Sequence, residues 1–147
     1  MKIILNDRAL LKISGADSEV FLQNQLSNDI KKLDELSAQL NAFCQHQGKI
    51  ISLFWVMRYE GNFLLSFPLD LLEKIQSRLK MFIIISDVII QDITKDFCQF
   101  GLINETHEGA FTIKGDLSVV IEKFNHKGEI NTNSIDIWRK ACIDSEL

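Results

Sequence analysis

The chain has 147 residues, of which 46% are apolar and 24% are charged, and its formal net charge is −4 at pH 7. This composition is typical of a single soluble globular domain that buries its core without disulfide staples. The acidic balance provides no basic excess for non-specific nucleic-acid binding. The most apolar later run, Met81 to Ile85, is too short to span a membrane.

The three cysteines, Cys44, Cys98 and Cys142, lie far apart and show no zinc-ligand spacing. The N-terminal stretch has an early Asp7 and lacks the long apolar core of a signal peptide. An odd number of cysteines without a secretion signal predicts a reducing, cytoplasmic setting.

The first half of the chain predicts strands around one short helix. Arg8 to Ser14 (RALLKIS) alternates imperfectly and stops at Gly15, which favours a strand. Asp17 then offers an N-cap oxygen for a helix that ends near residue 28. Further strands are predicted at 39–44, 49–58 and 63–67, with turns at 45–48 and 60–62. The run from Ile50 to Met57 is nearly continuous in apolar residues, which predicts burial on both faces.

The second half begins with Pro68, which suits a first helical turn. A clear amphipathic helix is predicted by apolar residues at helical spacing, namely Leu69, Leu72, Ile75, Leu79 and Phe82. Strands are predicted at 88–93, 97–103, 111–114 and 119–124, and a last helix at 134–143. The order of elements predicts an α+β fold with a mostly antiparallel sheet and helices packed on it. No cap or polar tail follows the last helix, so a truncated chain, or a protein shorter than its ancestor, is expected.

The turn at 45–48 carries the first chemical candidates. Cys44 and His46 could form a nucleophile and its base, but a polar hairpin loop is the favoured interpretation, and sequence places no orienting third group. Gly48 and Lys49 could receive an anionic ligand, against the alternative of a solvated turn lysine. No common phosphate-cradle motif is present.

The two tryptophans are the other candidates. Trp55 lies in a run that predicts core. Trp138 stands beside Arg139 on the last helix, where an aromatic ring and a cation can stack a flat heterocycle, but the residues alone favour a core or interface tryptophan. From the residues alone, no reaction emerges.

Two stretches resemble a known family. Residues 13–30 (ISGADSEVFLQNQLSNDI) are similar to the N-terminal signature of the YgfZ/GcvT-like folate-binding superfamily. The matching positions are Gly15, Asp17, Phe21, Leu22, Gln23, Gln25, Ser27 and Asp29. A second family hairpin matches at Cys44, Gly48, Lys49 and Ile50. The resemblance covers residues 1–147 as a partial domain, with 1–93 well matched and 94–147 loosely matched.

The resemblance distinguishes two branches of this superfamily. The aminomethyltransferase branch typically carries two aspartates in the third strand, where this chain has Ser52 and Leu53. The resemblance therefore implies the YgfZ branch and no enzyme of the aminomethyltransferase type. An aminomethyltransferase-like enzyme and an inert or interaction-only remnant of the fold stay open as alternatives.

The YgfZ branch implies tetrahydrofolate or a derivative as ligand, and a role in iron–sulfur cluster assembly or repair and in tRNA modification. Its partners would be iron–sulfur assembly or client proteins. The implied folate-binding residues are Trp138, Arg8, which stands where the family has a tryptophan, and Lys49. The family's downstream motif resembling K-G-C-Y-x-G-Q-E does not occur, and Cys142 does not replace it. An incomplete pocket and self-association through an exposed sheet edge are therefore expected.

Overall fold

The structure is a computed structural model that describes residues 1–45, 47–123 and 132–145. Its nine strands are β1 (Lys2–Ile4), β2 (Arg8–Ser14), β3 (Gln39–Cys44), β4 (Ile50–Tyr59), β5 (Asn62–Pro68), β6 (Ile89–Asp92), β7 (Phe97–Ile103), β8 (Phe111–Lys114) and β9 (Leu117–Lys123). The helices are α1 (Ser18–Gln25), α2 (Leu72–Met81) and α3 (Thr132–Asp144), with single 3₁₀ turns at Ile30–Lys32 and Leu69–Leu71.

The strands form two antiparallel sheets. The five-stranded sheet has the order β3-β4-β5-β2-β6, and the four-stranded sheet has the order β1-β7-β9-β8. The α+β class with antiparallel pairing is confirmed, but the strands form two sheets where one was predicted. The four-stranded sheet includes β1, a strand that was not predicted. The three residues of β1 pair with β7, about a hundred residues further along the chain.

Two cores follow from the alternation of side chains along the strands. On β2, Ala9, Leu11 and Ile13 face the helix-side core, which lies between the five-stranded sheet and the helices α1 and α2. Leu10 faces the opposite way, into the inter-sheet core between the two sheets. The inter-sheet core is closed by Trp138 of α3.

Strand β4 confirms the prediction of two-sided burial only at its centre. Phe54, Trp55, Val56 and Met57 are all buried, because β4 is an inner strand with a core on each face. Ile50 and Leu53, nearer the 45–48 turn, are exposed. The pattern of apolar residues therefore overstates burial at the start of this strand.

The start of α1 differs from its prediction. Asp17 occupies the N-cap position, but its carboxylate makes no cap bond and instead accepts a hydrogen bond from the backbone N–H of Asp87 at 2.7 Å. The backbone N–H of Asp17 donates to the carbonyl of Asp87 at 3.1 Å. Asp17 thus joins the helix to the segment before β6. The helix also ends earlier than predicted, at Gln25.

The helix predicted after β5 is confirmed, but it begins later than predicted. Pro68 ends β5 and caps a 3₁₀ turn rather than opening an α-helix, and α2 begins at Leu72. Ile75 and Leu79 are fully buried, while Phe82 beyond the helix end is exposed. The predicted strands at 88–93, 97–103 and 111–114 are present, and β9 runs from Leu117 to Lys123, so the predicted Phe124 lies outside the described residues.

Candidate functional site

Arg8 begins β2 and directs its side chain between the two sheets. Its Nε donates to the Ser66 hydroxyl at 2.9 Å, and its Nη2 donates to the Ser66 carbonyl at 2.8 Å. The guanidinium carbon lies 4.0 Å from the centroid of the Trp55 ring, a cation–π contact. The position follows from strand register, because Ser66 of β5 pairs with Leu10 on one side and with Trp55 on the other.

Gln99 joins this group from the other sheet. The Ser66 hydroxyl donates to the Gln99 Oε1, and the Gln99 Nε2 donates to the carbonyls of Arg8 and Ala9 at 3.3 and 3.2 Å. Ser66 and Gln99 are both buried, so each bond satisfies a group that water does not reach. We call Arg8, Ser66 and Gln99 the polar node.

Trp138 lies on the other side of Trp55. The two indole rings meet edge to face, with centroids 5.9 Å apart and planes at 88°. Trp138 is 3% exposed and rests on Gly101 of β7, where an added Cβ would come within 2.4 Å of the ring. The predicted site residues Arg8 and Trp138 thus both contact Trp55. In this arrangement Trp138 is a core residue, so a ligand can reach its ring only after α3 or a neighbour moves.

The polar node carries a positive charge that lacks a salt bridge. Burial lowers the pKa of Arg8 to about 10, and the nearby Asp7 and Cys142 oppose that shift, so the guanidinium stays charged at neutral pH. Among the described residues, no carboxylate lies within salt-bridge distance of Arg8. Asp7 instead pairs with Arg139 at the exposed rim.

Cys142 of α3 is a thiol that this charge influences. Burial raises its pKa, and the positive charge of Arg8 offsets only part of that rise. A thiol of this kind stays protonated at neutral pH and is a poor nucleophile.

Lys49 lies apart from the polar node. It is exposed directly after the 45–48 turn, where the Gln45 N–H donates to the Lys49 carbonyl at 2.7 Å and Gly48 adopts a positive φ of 83°. Trp55 is six residues further along the chain, roughly 20 Å in an extended strand. The structure therefore does not bring Lys49 together with Arg8 and Trp138. Cys44 is exposed, and His46, its suggested partner, lies outside the described residues.

Ser52 and Leu53, at the positions where the resemblance implies aspartates in an aminomethyltransferase, have neutral side chains. Ser52 is buried, and its hydroxyl donates to the Leu53 carbonyl at 3.2 Å. Leu53 is 46% exposed. Neither position therefore supplies a carboxylate for acid–base catalysis.

Sequence reasoning missed Ser66 and Gln99. Each is a polar residue within an apolar strand, in FLLSF and FCQFGLI, and that placement was the available signal. Their partners lie 58 and 91 residues away from them, so only the fold reveals the polar node.

The rest of the described chain offers no second site that contains the predicted residues. A surface cleft of about 310 Å³ is lined by residues near Asn104, Glu105 and Asp116, and it contains none of the predicted site residues. Within residues 1–45, 47–123 and 132–145, no group of three or more His, Cys, Asp or Glu side chains could hold a metal ion. No helix in the same ranges is both long and apolar enough to cross a bilayer.

Comparisons with known proteins place this chain near two groups. No family model matches it. The tRNA-modifying protein YgfZ of Klebsiella pneumoniae (strain 342) is 42% identical over 59 residues, which are 40% of this chain and 18% of that protein. YgfZ of Buchnera aphidicola subsp. Schizaphis graminum is 27% identical over 139 residues, 95% of this chain and 37% of that protein. An aminomethyltransferase of Exiguobacterium sibiricum is 32% identical over 93 residues, 63% of this chain and 26% of that protein.

A solved structure shows the same fold. The glycine cleavage system aminomethyltransferase T from Bartonella henselae matches with a TM-score of 0.61 and 12% identity, over 68% of this chain and 27% of that one. The predicted resemblance to the YgfZ proteins and the related fold are confirmed. The chain spans less than two fifths of the length of each relative named here.

Proposed function

We propose that this chain, a relative of the YgfZ proteins with the fold of an aminomethyltransferase, is a folate-binding domain that supports iron–sulfur enzymes and tRNA modification without turning over a substrate itself. The observation that carries the proposal is the meeting of Arg8, Trp55 and Trp138 between the two sheets. A reduced folate presents a flat pterin and an anionic glutamate tail, and aromatic rings beside a cation are the groups that bind such a molecule.

The buried state of Trp138 shapes how binding would proceed. The ring contacts Gly101 and Trp55 in the present arrangement, and the Asp7–Arg139 ion pair lies at the exposed rim beside α3. A ligand would therefore open this rim and displace α3 before it reaches the tryptophans. Lys49 is a separate folate-binding candidate, and its distance from Trp55 allows it to act only on a part of the ligand that lies outside the sheets.

Isothermal calorimetry with tetrahydrofolate tests the proposal. We expect heat and a thermal shift for the wild-type chain, and at least about tenfold weaker binding for Trp138→Ala, since a buried aromatic contact is lost. Trp138→Phe keeps an aromatic ring and serves as the variant that preserves packing. Lys49→Gln tests the separate candidate Lys49. Its control for lost charge is Lys31→Gln, because Lys31 is an exposed lysine distant in sequence from both tryptophans. If the wild-type chain gives no heat and no thermal shift with tetrahydrofolate, folate binding is contradicted.

The cellular role needs a separate measurement. In a bacterial strain that lacks its YgfZ protein, expression of this chain should raise the content of tRNA nucleosides whose synthesis needs iron–sulfur enzymes, as read by mass spectrometry. Trp138→Ala should fail to do so at equal protein level. Folate binding without this recovery would limit the chain to binding, and capture of iron–sulfur assembly proteins without folate affinity would favour an interaction-only role.

A second function, folate-dependent aminomethyl transfer, is favoured by the Exiguobacterium relative and the shared fold. Ser52 and Leu53 oppose it, because neither side chain supplies a carboxylate. We expect no methylenetetrahydrofolate from an aminomethyl donor and tetrahydrofolate. Measurable product would overturn the non-enzymatic part of the proposal.

A further inference from the structure

Arg8 holds one edge of its guanidinium in a fixed position. Nε and Nη2 both donate to Ser66, and one face of the group covers the Trp55 ring. Within the described part of the chain, no acceptor is bonded to Nη1. The unused donors therefore point along a direction that Ser66 and Trp55 set together.

Gln99 locks that direction from the opposite sheet. The Gln99 Oε1 accepts a hydrogen bond from the Ser66 hydroxyl, so the hydroxyl oxygen is free to accept a hydrogen bond from the Nε of Arg8. Its amide nitrogen also binds the carbonyl of Arg8 itself. A planar guanidinium held in this way loses little conformational entropy when it binds a planar anion.

The charge of Arg8 has no neutralising carboxylate among the residues described, although a carboxylate is near. Asp7 is the adjacent residue and influences Arg8 through its charge, but its carboxylate binds Arg139. The ion pair thus keeps the nearest competing anion away from Arg8. A half-buried cation without an anion is best satisfied by a carboxylate that arrives with a ligand, since arginine and carboxylate match in two parallel hydrogen bonds.

We propose that Arg8 is a receptor for a ligand carboxylate, that Ser66 and Gln99 are its positioning residues, and that the Asp7–Arg139 pair keeps the receptor free. This inference rests on the proposed function, in which the ligand is a reduced folate. It assigns Arg8 to the glutamate tail and leaves the pterin ring to other groups.

Two fragments of the ligand test this assignment. The probe p-aminobenzoylglutamate has the tail without the pterin, and 6-methyltetrahydropterin has the ring without the tail. In calorimetric titrations, Arg8→Gln should weaken binding of p-aminobenzoylglutamate by at least about tenfold, as for a lost charge-assisted hydrogen-bond pair. The affinity for 6-methyltetrahydropterin should change less than about twofold. Arg8→Lys keeps the charge without the fork and should give an intermediate loss.

Variants of the rim and of the polar node separate positioning from stability. Arg139→Gln releases Asp7 to compete for Arg8 and should weaken binding of p-aminobenzoylglutamate severalfold, and the double variant Asp7→Asn/Arg139→Gln should restore that binding, which no loss of packing would produce. Gln99→Leu should weaken binding of that probe alone, whereas a merely structural role would weaken both probes alike. Thermal unfolding of each variant confirms that it is folded at the titration temperature.

The outcomes distinguish the inference from the proposed function. If the wild-type chain binds tetrahydrofolate and 6-methyltetrahydropterin but not p-aminobenzoylglutamate, the assignment of Arg8 to the glutamate tail is wrong and folate binding stands. The same conclusion follows if Arg8→Gln weakens binding of both fragments equally. If the chain binds p-aminobenzoylglutamate but neither tetrahydrofolate nor the pterin, the receptor stands and the proposed function fails. Absence of binding to all three contradicts both.

Discussion

The indole ring of Trp138 lies directly on the backbone of Gly101, at a distance that leaves no room for a side chain on β7. A Cβ built on Gly101 would come 2.4 to 2.6 Å from three ring carbons. The contact joins α3 to the four-stranded sheet, and the other side of the ring meets Trp55 of the five-stranded sheet. One glycine therefore determines how deeply α3 inserts between the sheets.

Replacement of Gly101 by alanine should lower the free energy of unfolding by about 1–3 kcal/mol, because the methyl group overpacks the tryptophan contact. Urea denaturation measures this change. Trp138→Phe has a smaller ring, so the double variant Gly101→Ala/Trp138→Phe should lose less than the sum of the two single losses. Simple additivity would show that the close approach carries no strain.

Gly15, before α1, and Gly61, in the turn between β4 and β5, form a matched pair of glycines. Gly15 has a φ of 109°, and a Cβ there would meet the Asp87 carbonyl at 2.2 Å, whereas Gly61 has a φ of 77° and open space. Gly61→Ala should cost about 1 kcal/mol of unfolding free energy from backbone strain alone. Gly15→Ala should cost clearly more, since it adds a clash with backbone. Equal losses in thermal or urea unfolding would contradict a tight contact between Gly15 and Asp87.

Thiol labelling should distinguish Cys142 from Cys44. Cys44 is exposed, whereas burial raises the pKa of the half-buried Cys142 above the usual thiol value of 9.0. With Cys98 replaced by serine, an alkylating reagent at pH 7.5 should modify Cys44 first, by mass spectrometry. The rate at Cys142 should rise as the pH passes 9. Faster modification of Cys142 at pH 7.5 would contradict its placement.

The same thiol predicts a pH dependence of stability. A folded-state pKa above the unfolded value means that the native chain binds the proton more tightly. The resulting stability is present below pH 9 and is lost as the pH rises through the folded-state pKa. Cys142→Ser should therefore flatten the alkaline decline of the urea midpoint relative to the wild type. An unchanged decline would assign it to other groups.

The loop after α2 should drive self-association. Ile84 and Ile85 are 84% and 97% exposed, and Met81 and Phe82 beside them are exposed as well. Exposed apolar patches of this kind promote association. Ile84→Ser and Ile85→Ser should lower the average mass in light scattering at high concentration, with unfolding free energies changed by less than about 0.5 kcal/mol.

Self-association through a sheet edge was expected from the sequence, and Ile89→Lys in the edge strand β6 tests that route. A lysine on an edge strand blocks strand pairing. If Ile89→Lys removes association and the loop variants do not, the edge is responsible rather than the loop. A clean monomer for the wild-type chain at high concentration would contradict both routes.

Local patterns predicted the elements well and their assembly less well. The spacing of Ile75 and Leu79 identified α2, and the turn at 60–62 identified the β4–β5 hairpin, because both signals lie within a few residues. Strand β1 was not predicted, since its only pairing is with β7, far along the chain. Asp17 was assigned to its helix because its actual partner, Asp87, is seventy residues away.

The candidate site shows the same limit. Arg8 and Trp138 were predicted separately, from a resemblance, and the structure brings both to Trp55. That Trp55 links them depends on the register of β4 against β5 and on the packing of α3, and neither can be read from one sequence. Lys49 was predicted from its charge beside Gly48 and from the family hairpin, and it lies just before the start of β4, away from Trp55.

Strand β1 has a consequence for the order in which the chain folds during synthesis. The five-stranded sheet draws all its strands from residues 8–92, so it can close before the remainder of the chain leaves the ribosome. Lys2–Ile4 cannot pair until Gly101 and its neighbours have been made. Strand β1 is therefore made before the five-stranded sheet but finds its partner after it, and a fusion placed directly before β1 would hinder this late pairing rather than the folding of the five-stranded sheet.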